Sequence, residues 1–187
     1  VELWVKTSSL ANSVIIENYE CGGYCPSGGA NSEWTLGTTN GKAYVTLRDS
    51  FQTTQVLIDA NMIADGNYHH LAMVRDIENR RATLYVDGIP VRSEPLSSFQ
   101  YMGDNDGEPD PITIGYHRPP SVNPGDAYYF TGEIDEPTIY SKALSETDIA
   151  NIFAMGSGGK KFTNALPNGS HGIQIENAPN QIIGGST

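Results

Sequence analysis

The sequence predicts an all-β fold, a two-sheet antiparallel jelly-roll sandwich with one short helix. Three observations carry this prediction: apolar and polar residues alternate in many short segments, turns separate these segments, and only one segment has helical periodicity. Alternation with a period of two is typical of strands that place one face in a core. Short strands joined by tight turns favour antiparallel hairpins over parallel crossover units.

The alternating segments follow one another along most of the chain. They are residues 2–6, 13–19, 33–37, 42–48, 55–59, 69–76, 81–86, 112–116 and 130–140. The turns between them contain Gly28-Gly29, Asn40-Gly41, Asp65-Gly66, Asp87-Gly88 and Asn105-Asp106-Gly107. Such residue pairs permit the backbone conformations that tight turns require.

The segment 81–86 shows how such a strand is expected to be covered. Ala82, Leu84 and Val86 share one face, and Thr83 and Tyr85 share the other. We expect the first face to lie in the core and the second to be half-exposed.

One helix is predicted to begin at Ser145. The sequence Ser-Glu-Thr-Asp at residues 145–148 has the character of a capping box. Ile149, Ile152 and Phe153 then form a short apolar stripe, and Gly156 stands where a C-terminal cap is expected. We expect this helix to close one end of the sandwich.

Composition and charge exclude two classes of partner. The 187 residues include 11 Lys and Arg against 22 Asp and Glu, a net charge of −11. Binding to nucleic acid depends on a basic surface, so we expect no nucleic-acid partner. The longest apolar runs last only a few residues, far short of the roughly 18 that a membrane span needs, so we expect no membrane insertion.

The two ends of the chain predict its domain organisation. Val1 lies inside a strand pattern without an initiator Met or a signal-like segment, so we expect a processed or excised part of a longer protein. Residues 1–155 form the predicted sandwich, and the glycine-rich start of residues 156–171 is typical of a linker. Residues 172–187 alternate again and are predicted to be strand material. A sequon of the N-glycosylation type, at residues 168–170, falls in the linker, where a chance match is an equal explanation.

The two cysteines, Cys21 and Cys25, leave two alternatives open. A spacing of four with two glycines between them can close a small disulfide loop. So small a ring constrains the unfolded chain little, and two free thiols are the other interpretation. If the disulfide forms, the protein belongs to an oxidising compartment.

Four segments resemble the laminin G-like, concanavalin A-like jelly-roll superfamily of extracellular adhesins, pentraxin-like proteins and carbohydrate-binding modules. They are VELWVK at 1–6, NYHHLAMVRD at 67–76, ATLYVDG at 82–88 and FTGEIDEPTIYSKALS at 130–145. Tyr68 stands where the family has Trp. The resemblance covers residues 1–155 and implies the sandwich fold and an extracellular or cell-surface location.

The same resemblance implies a role for the C-terminal segment. The family has one or two strands before its W-V-K strand, and residues 163–187 followed by 1–6 are similar to that beginning. A tandem array, a permuted single chain and a strand donated to a neighbouring copy would each explain this order. Ile173, Ile175 and Ile182 are the candidate strand-exchange residues. A rung of a parallel β-helix and an incidental tail are the alternatives.

An acidic strand invites comparison with endo-glucanases of this superfamily, whose E-x-D-x-E strand carries the catalytic carboxylates. Glu133 and Asp135 share a face, Glu136 points to the other face, and Pro137 takes the place of the third carboxylate. Retaining hydrolysis requires two carboxyl groups across a cleft. No catalytic residues are therefore predicted, and the protein is not expected to be an enzyme.

Structural Ca²⁺ is the one cofactor that the sequence suggests. In the superfamily an Asp at the position of Asp135 can join loop carbonyls around calcium, and the alternative is a carboxylate that caps backbone amides. Asp104 and Asp106 lie in an oxygen-rich loop that suits a hard cation, and the alternative is a solvated acidic turn. His69 and His70 point to opposite faces of a strand and are expected to be structural.

The long loop from Tyr116 to Tyr129 is the predicted ligand-binding region, because pentraxin-like relatives bind there through calcium. Their acidic ligands are replaced here by His117, Arg118 and Pro119, which puts that particular site in doubt. What the loop offers is a set of side chains suited to sugars or protein surfaces: Tyr116, His117, Arg118, Asn123, Asp126 and Tyr128. Tyrosines that merely cover a sheet edge are the alternative. Trp4 and Trp34 are expected in the core.

The predicted function is that of a non-catalytic extracellular adhesion or structural module. It would be one repeat of a surface adhesin or extracellular fibre, assembled by terminal strands or by tandem repetition. Its partners would be neighbouring copies of the domain or another extracellular protein. The alternative is a carbohydrate-binding module of a secreted protein, with a glycan as partner.

Overall fold

The computed structural model describes residues 1–18, 34–48, 54–97, 112–117 and 129–156. Within these ranges the chain forms ten strands and one helix. They are β1 (Glu2–Lys6), β2 (Ser13–Asn18), β3 (Trp34–Thr39), β4 (Lys42–Arg48), β5 (Thr54–Ile58), β6 (Tyr68–Asp76), β7 (Arg81–Val86), β8 (Ile89–Pro95), β9 (Ile112–Ile114), β10 (Glu133–Thr138) and α1 (Glu146–Met155).

The strands form two antiparallel sheets, which confirms the predicted sandwich. The first sheet has the order β10-β1-β6-β7-β8 and the second the order β5-β4-β3-β2-β9. The core lies between them, and its fully buried side chains include Leu3, Ile16, Leu36, Leu71 and Leu84. Along most strands, alternate residues point into the core or away from it, and a bulge in β2 places both Ile15 and Ile16 in the core.

Most predicted strands are present with small shifts at their ends, and the largest difference is at β10. That strand was predicted over 130–140 but begins after Gly132, whose φ is 154°. A Cβ at this glycine would lie 2.2 Å from the carbonyl oxygen of Lys6, so no other residue fits there without backbone movement. A bulge then interrupts the pairing of β10 with β1 near Glu136, which has a φ of 49°.

β8 was missed by the sequence analysis because its composition is poor for a strand. It contains Pro90 and Pro95, which cannot donate a ladder hydrogen bond. It lies at the edge of the first sheet, where only the side facing β7 must be paired. An edge position tolerates proline, and the Asp87-Gly88 turn then makes β7 and β8 a tight hairpin.

The outer face of the first sheet, the side away from the second sheet, is also buried around β6 and β7. Thr83 and Tyr85 are only 9% and 6% exposed, so the expected half-exposed face of β7 is wrong. Tyr85 packs in a second apolar cluster with Leu144 and Ile149. The helix therefore covers the outer face of this sheet and does not close an end of the sandwich.

The helix itself has the predicted capping signals. The Ser145 hydroxyl accepts a hydrogen bond from the Asp148 amide at 3.1 Å, and the Asp148 carboxylate accepts from the Ser145 amide at 3.0 Å. Gly156 caps the other end, where its amide donates to the carbonyl of Phe153. This capping box fixes where α1 begins and directs Ile149 onto the sheet.

A buried polar pair lies beneath this helix layer. His70 Nε2 is 3.1 Å from Oε2 of Glu2, and both side chains are fully buried. The Tyr140 hydroxyl donates to Oε1 of Glu2 at 3.1 Å. Burial and then the neighbouring Glu2 carboxylate raise the pKa of Tyr140, which keeps its hydroxyl a donor. Polar groups removed from water need such partners.

The two tryptophans occupy different layers. Trp34 packs against the core between the sheets, as expected. Trp4 lies on the outer face of the first sheet, with its ring stacked on Phe153 of α1 at 5.7 Å and tilted against His70 at 5.3 Å. Trp4 is thus covered by the helix and does not belong to the central core.

We expect Tyr140→Phe to destabilise the fold by about 1–3 kcal/mol, because Glu2 loses a buried hydrogen-bond donor. Urea unfolding of both proteins measures this loss. Tyr129→Phe is the matched control, since Tyr129 is exposed, and it should stay within about 0.5 kcal/mol of the wild type. Equal effects of the two substitutions would contradict a structural role for the Tyr140–Glu2 bond.

His69 is held between two carboxylates at the surface. Its Nδ1 lies 2.8 Å from Asp87, and its Nε2 lies 3.2 Å from Asp65. Partial burial lowers the pKa of His69, but the contacts with Asp87 and then Asp65 outweigh it and raise that pKa. Hydrogen bonds from Asn67 lower the pKa of Asp65 to about 2, so this carboxylate is ionised wherever His69 titrates.

The raised pKa of His69 predicts a pH-dependent contribution to stability. The contribution is fully present below the unfolded pKa of about 6.5 and is lost as pH rises through the higher folded value. The melting temperature of His69→Gln should therefore lie furthest below that of the wild type near pH 5.5 and approach it near pH 9. A difference that does not change with pH would contradict the ion pair.

Candidate binding site

The candidate site is built around Glu17, on the outer face of the second sheet where β2 lies between β3 and β9. Ile16 points into the core, so the next residue along β2 points outward. Glu17 is nevertheless only 1% exposed. A carboxylate buried to this degree requires hydrogen-bonding partners.

The three partners of Glu17 come from two parts of the chain, β3 and the segment 112–117 that contains β9. Thr35 of β3 and Thr113 of β9 stand directly opposite it on the two neighbouring strands. Their hydroxyls lie 3.5 Å and 3.2 Å from the carboxylate oxygens. His117 Nδ1 lies 3.0 Å from one oxygen and 3.1 Å from the other. Glu17 therefore fixes the position and orientation of the His117 ring.

Two tyrosines lie beside this anchored histidine. Tyr116 and Tyr129 form an isolated antiparallel bridge, next to a backbone hydrogen bond from Phe130 to Gly115 of 2.9 Å. Their rings are stacked at 6.4 Å with an angle of 23° between the planes. Tyr116 is 38% exposed and Tyr129 is 65% exposed. We call this pair the tyrosine platform.

The structure brings together two of the six predicted ligand-binding residues. Tyr116 and His117 are adjacent in the site, whereas Arg118, Asn123, Asp126 and Tyr128 lie outside the described residues.

Glu17 was not singled out by the sequence analysis, and Tyr129 was named only as the end of the loop. A carboxylate that directly follows the apolar run 14–16 is the local signal that could have drawn attention to Glu17.

Of the three predicted calcium ligands, the structure describes Asp135. Asp135 Oδ1 accepts a hydrogen bond from the Glu136 amide at 2.9 Å, which is the alternative that the sequence left open. Asp104 and Asp106 lie outside the described residues. In the part of the chain that the structure describes, no three His, Cys, Asp or Glu side chains converge on one point. Calcium binding stays a prediction.

In the acidic strand β10, the side chains of Glu133 and Asp135 lie on the outer side of the first sheet. Glu133 and Asp135 stand opposite Lys6 and Trp4 of β1. The Glu133 carboxylate accepts from the Tyr68 hydroxyl and contacts Lys6 Nζ at 2.9 Å. The hydrogen bond from Tyr68, and to a smaller extent the contact with Lys6, lower the pKa of Glu133. A general acid in glycoside hydrolysis needs a raised pKa, so Glu133 is not suited to that role.

Five other predicted residues cannot be placed. Cys21, Cys25, Ile173, Ile175 and Ile182 all lie outside the described residues, so the disulfide and the strand exchange stay predictions. Among the residues that are described, no helix has the length and apolar character needed to cross a bilayer.

Comparison with known proteins identifies the family. A family model described as the concanavalin A-like lectin/glucanases superfamily matches residues 1–150. The chain belongs to this superfamily, as the resemblance in the sequence analysis implied. No curated protein matches the sequence.

Solved structures share the fold at low sequence identity. The CBM40 module of the Ruminococcus gnavus IT-sialidase, bound to α2,3-sialyllactose, has a TM-score of 0.64 and 20% identity, over 81% of this chain and 80% of that chain. The SAP-like pentraxin of Limulus polyphemus has a TM-score of 0.59 and 12% identity, over 83% and 69%. Domains LG4-5 of the mouse laminin α1 chain give 0.55 and 16%, over 78% and 36%. These similarities establish the sandwich.

Proposed function

We propose that the protein is a non-catalytic carbohydrate-binding module of an extracellular protein, and that the glycan binds on the tyrosine platform. The observation that carries this proposal is an exposed, stacked pair of aromatic rings beside a histidine anchored on a buried carboxylate. Of the two functions that the sequence favoured, this is the one for which the described residues offer a surface.

The chemistry of the platform suits a sugar. One face of a pyranose ring is apolar and packs against aromatic rings, while its hydroxyls need hydrogen-bonding groups at the rim. Tyr116 and Tyr129 offer both ring surface and phenolic hydroxyls. Stacking of the two rings on each other restricts their rotamers before a ligand arrives, which lowers the entropic cost of binding.

His117 gives the site a fixed polar group. Its contact with Glu17 requires the proton on Nδ1 if the carboxylate is ionised, since a carboxylate only accepts. Glu17 is held in turn by Thr35 and Thr113, so the imidazole is positioned by two strands and not by the loop alone. A preorganised polar group of this kind favours one orientation of a bound sugar.

The comparisons support a glycan as ligand. The R. gnavus CBM40 module, which shares the fold over four-fifths of both chains, has been solved with α2,3-sialyllactose and with α2,6-sialyllactose. The family and these similar binding domains also support a location outside the cell. A role as an adhesin or fibre repeat depends on residues 172–187, which lie outside the described residues, and stays a prediction.

A titration against sialylated and neutral oligosaccharides, including α2,3-sialyllactose and lactose, tests this function. We expect saturable binding by calorimetry to at least one of them. Tyr129→Ala should weaken that binding by a factor between about 2 and 13, because a stacking contact contributes about 0.5–1.5 kcal/mol.

Tyr68→Ala is the matched control, since Tyr68 is also exposed but lies on the first sheet. Its affinity should equal that of the wild type. Equal losses of affinity in Tyr129→Ala and Tyr68→Ala would contradict binding on the tyrosine platform. The absence of binding to every oligosaccharide would overturn the proposed function.

A further inference from the structure

β5 is an edge strand of the second sheet that lacks protection against pairing with another chain. Among the described residues, no strand pairs with it on the side away from β4. Its sequence, TQVLI, contains no proline and no charged residue, and its pairing with β4 has no bulge. Such features normally protect an edge strand, whose outward row of backbone groups would otherwise pair with a further strand.

The other three edge strands carry such protection. β8 contains Pro90 and Pro95, and Arg92 forms an ion pair of 2.8 Å with Glu94. β10 contains Pro137 and the bulge in its pairing with β1. β9 is only three residues long. β5 is therefore the exception among the four edges.

The backbone of β5 directs hydrogen-bonding groups outward at alternate residues. The Asp59 amide donates to the carbonyl of Ala43 at 3.0 Å, so every second residue from Asp59 back along β5 directs its amide and carbonyl to β4. The amides and carbonyls of Thr54, Val56 and Ile58 therefore point away from the sheet. The side chains of these three residues lie on the outer face, where Val56 is 51% and Ile58 45% exposed.

Contacts with the first sheet hold β5 in its extended form. The Gln55 side-chain amide donates to the carbonyl of Pro95, at the end of β8, at 2.8 Å. The Gln55 side-chain oxygen accepts from the amide of Ser97 at 3.2 Å. Because β5 is already ordered, pairing with another strand has a low entropic cost.

The charge around β5 allows a second copy of this acidic chain to approach. The chain has a net charge of −11, yet neither β4 nor β5 contains an acidic residue. β8 and β10, by contrast, both carry carboxylates. Two copies can therefore meet at β5 without placing the carboxylates of these strands against each other.

We propose that two copies of the chain form a dimer by antiparallel pairing of their β5 strands about a twofold axis at Val56. The axis places Val56 opposite the same residue of the second copy, and Thr54 opposite the second copy's Ile58. Each pair exchanges two backbone hydrogen bonds, because all three residues direct their amides and carbonyls outward. Such a contact is self-complementary and is complete with two copies.

The dimer has a consequence for glycan binding that rests on the proposed function. The twofold axis is perpendicular to the sheet, so the outer faces of the two second sheets lie on the same side of one continuous sheet. β9 is at the far edge of each half, which places the two tyrosine platforms about 40 Å apart at roughly 4.8 Å per strand. Two sites on one side bind a surface that carries many glycans more tightly than one site does.

The mass of the full chain by light scattering, up to about 1 mM, tests the dimer. Pairing of two five-residue strands gives a small interface, so the mass should rise with concentration and level off at two copies. Val56→Pro removes the outward amide without touching the pairing with β4, and this variant should stay a monomer. Ile89→Lys is the matched control, because Ile89 is an exposed apolar residue on the β8 edge. It should dimerise as the wild type does.

Two double variants test the register without a proline. Thr54→Lys/Ile58→Glu places opposite charges against each other across the twofold axis and should dimerise at least as well as the wild type. Thr54→Lys/Ile58→Lys places like charges there and should stay a monomer. Equal masses of these two variants at every concentration would overturn the twofold register.

Three further results would overturn the proposal. They are a wild-type chain that stays a monomer over the whole concentration range, a dimer that persists in Val56→Pro, and a mass that keeps rising beyond two copies. Affinity for soluble oligosaccharides, measured on the same variants, should not change. Failure of this proposal and failure of the proposed function are therefore distinguishable.

Discussion

The structure depends on the burial of β6 and β7, the central part of the first sheet, on both of their faces. Along β6, Leu71 and Met73 point into the core, while Ala72 and Val74 point to the other side and are buried as well. A sheet of this composition needs a cover on each side. The second sheet is one cover, and α1, held at its start by the capping box of Ser145, is the other.

Because of this constraint, the outer faces of the two sheets differ in what covers them. The outer face of the first sheet is occupied by α1, and the polar groups beneath it, Glu2 and His70, bond to each other. The outer face of the second sheet carries no helix among the described residues, and it is there that Glu17 anchors His117 beside the tyrosine platform. The proposed binding site and the buried Glu2–His70 pair therefore lie on opposite outer faces of the sandwich.

The sequence predicts what local patterns encode and misses what distant contacts create. Alternation and turn residues located nine of the strands, and the caps of α1 lie within the helix's own sequence. β8 was missed because Pro90 and Pro95 weaken the local signal and only its edge position makes them acceptable. The cover formed by α1 and the role of Glu17 were missed for another reason. The Glu17 partners Thr35 and His117 are 18 and 100 residues away, and no periodicity reports such pairs.

The central claim is that ligand binds on the outer face of the second sheet and not on the helix-covered sheet. The most direct measurement is the change in backbone amide NMR shifts of the labelled full chain during titration with the oligosaccharide that binds most tightly. The account predicts that the largest changes fall on Thr113, Tyr116, His117 and Tyr129, while α1 and β7 stay unchanged. Changes centred on α1, or on β10 around Glu133, would contradict it.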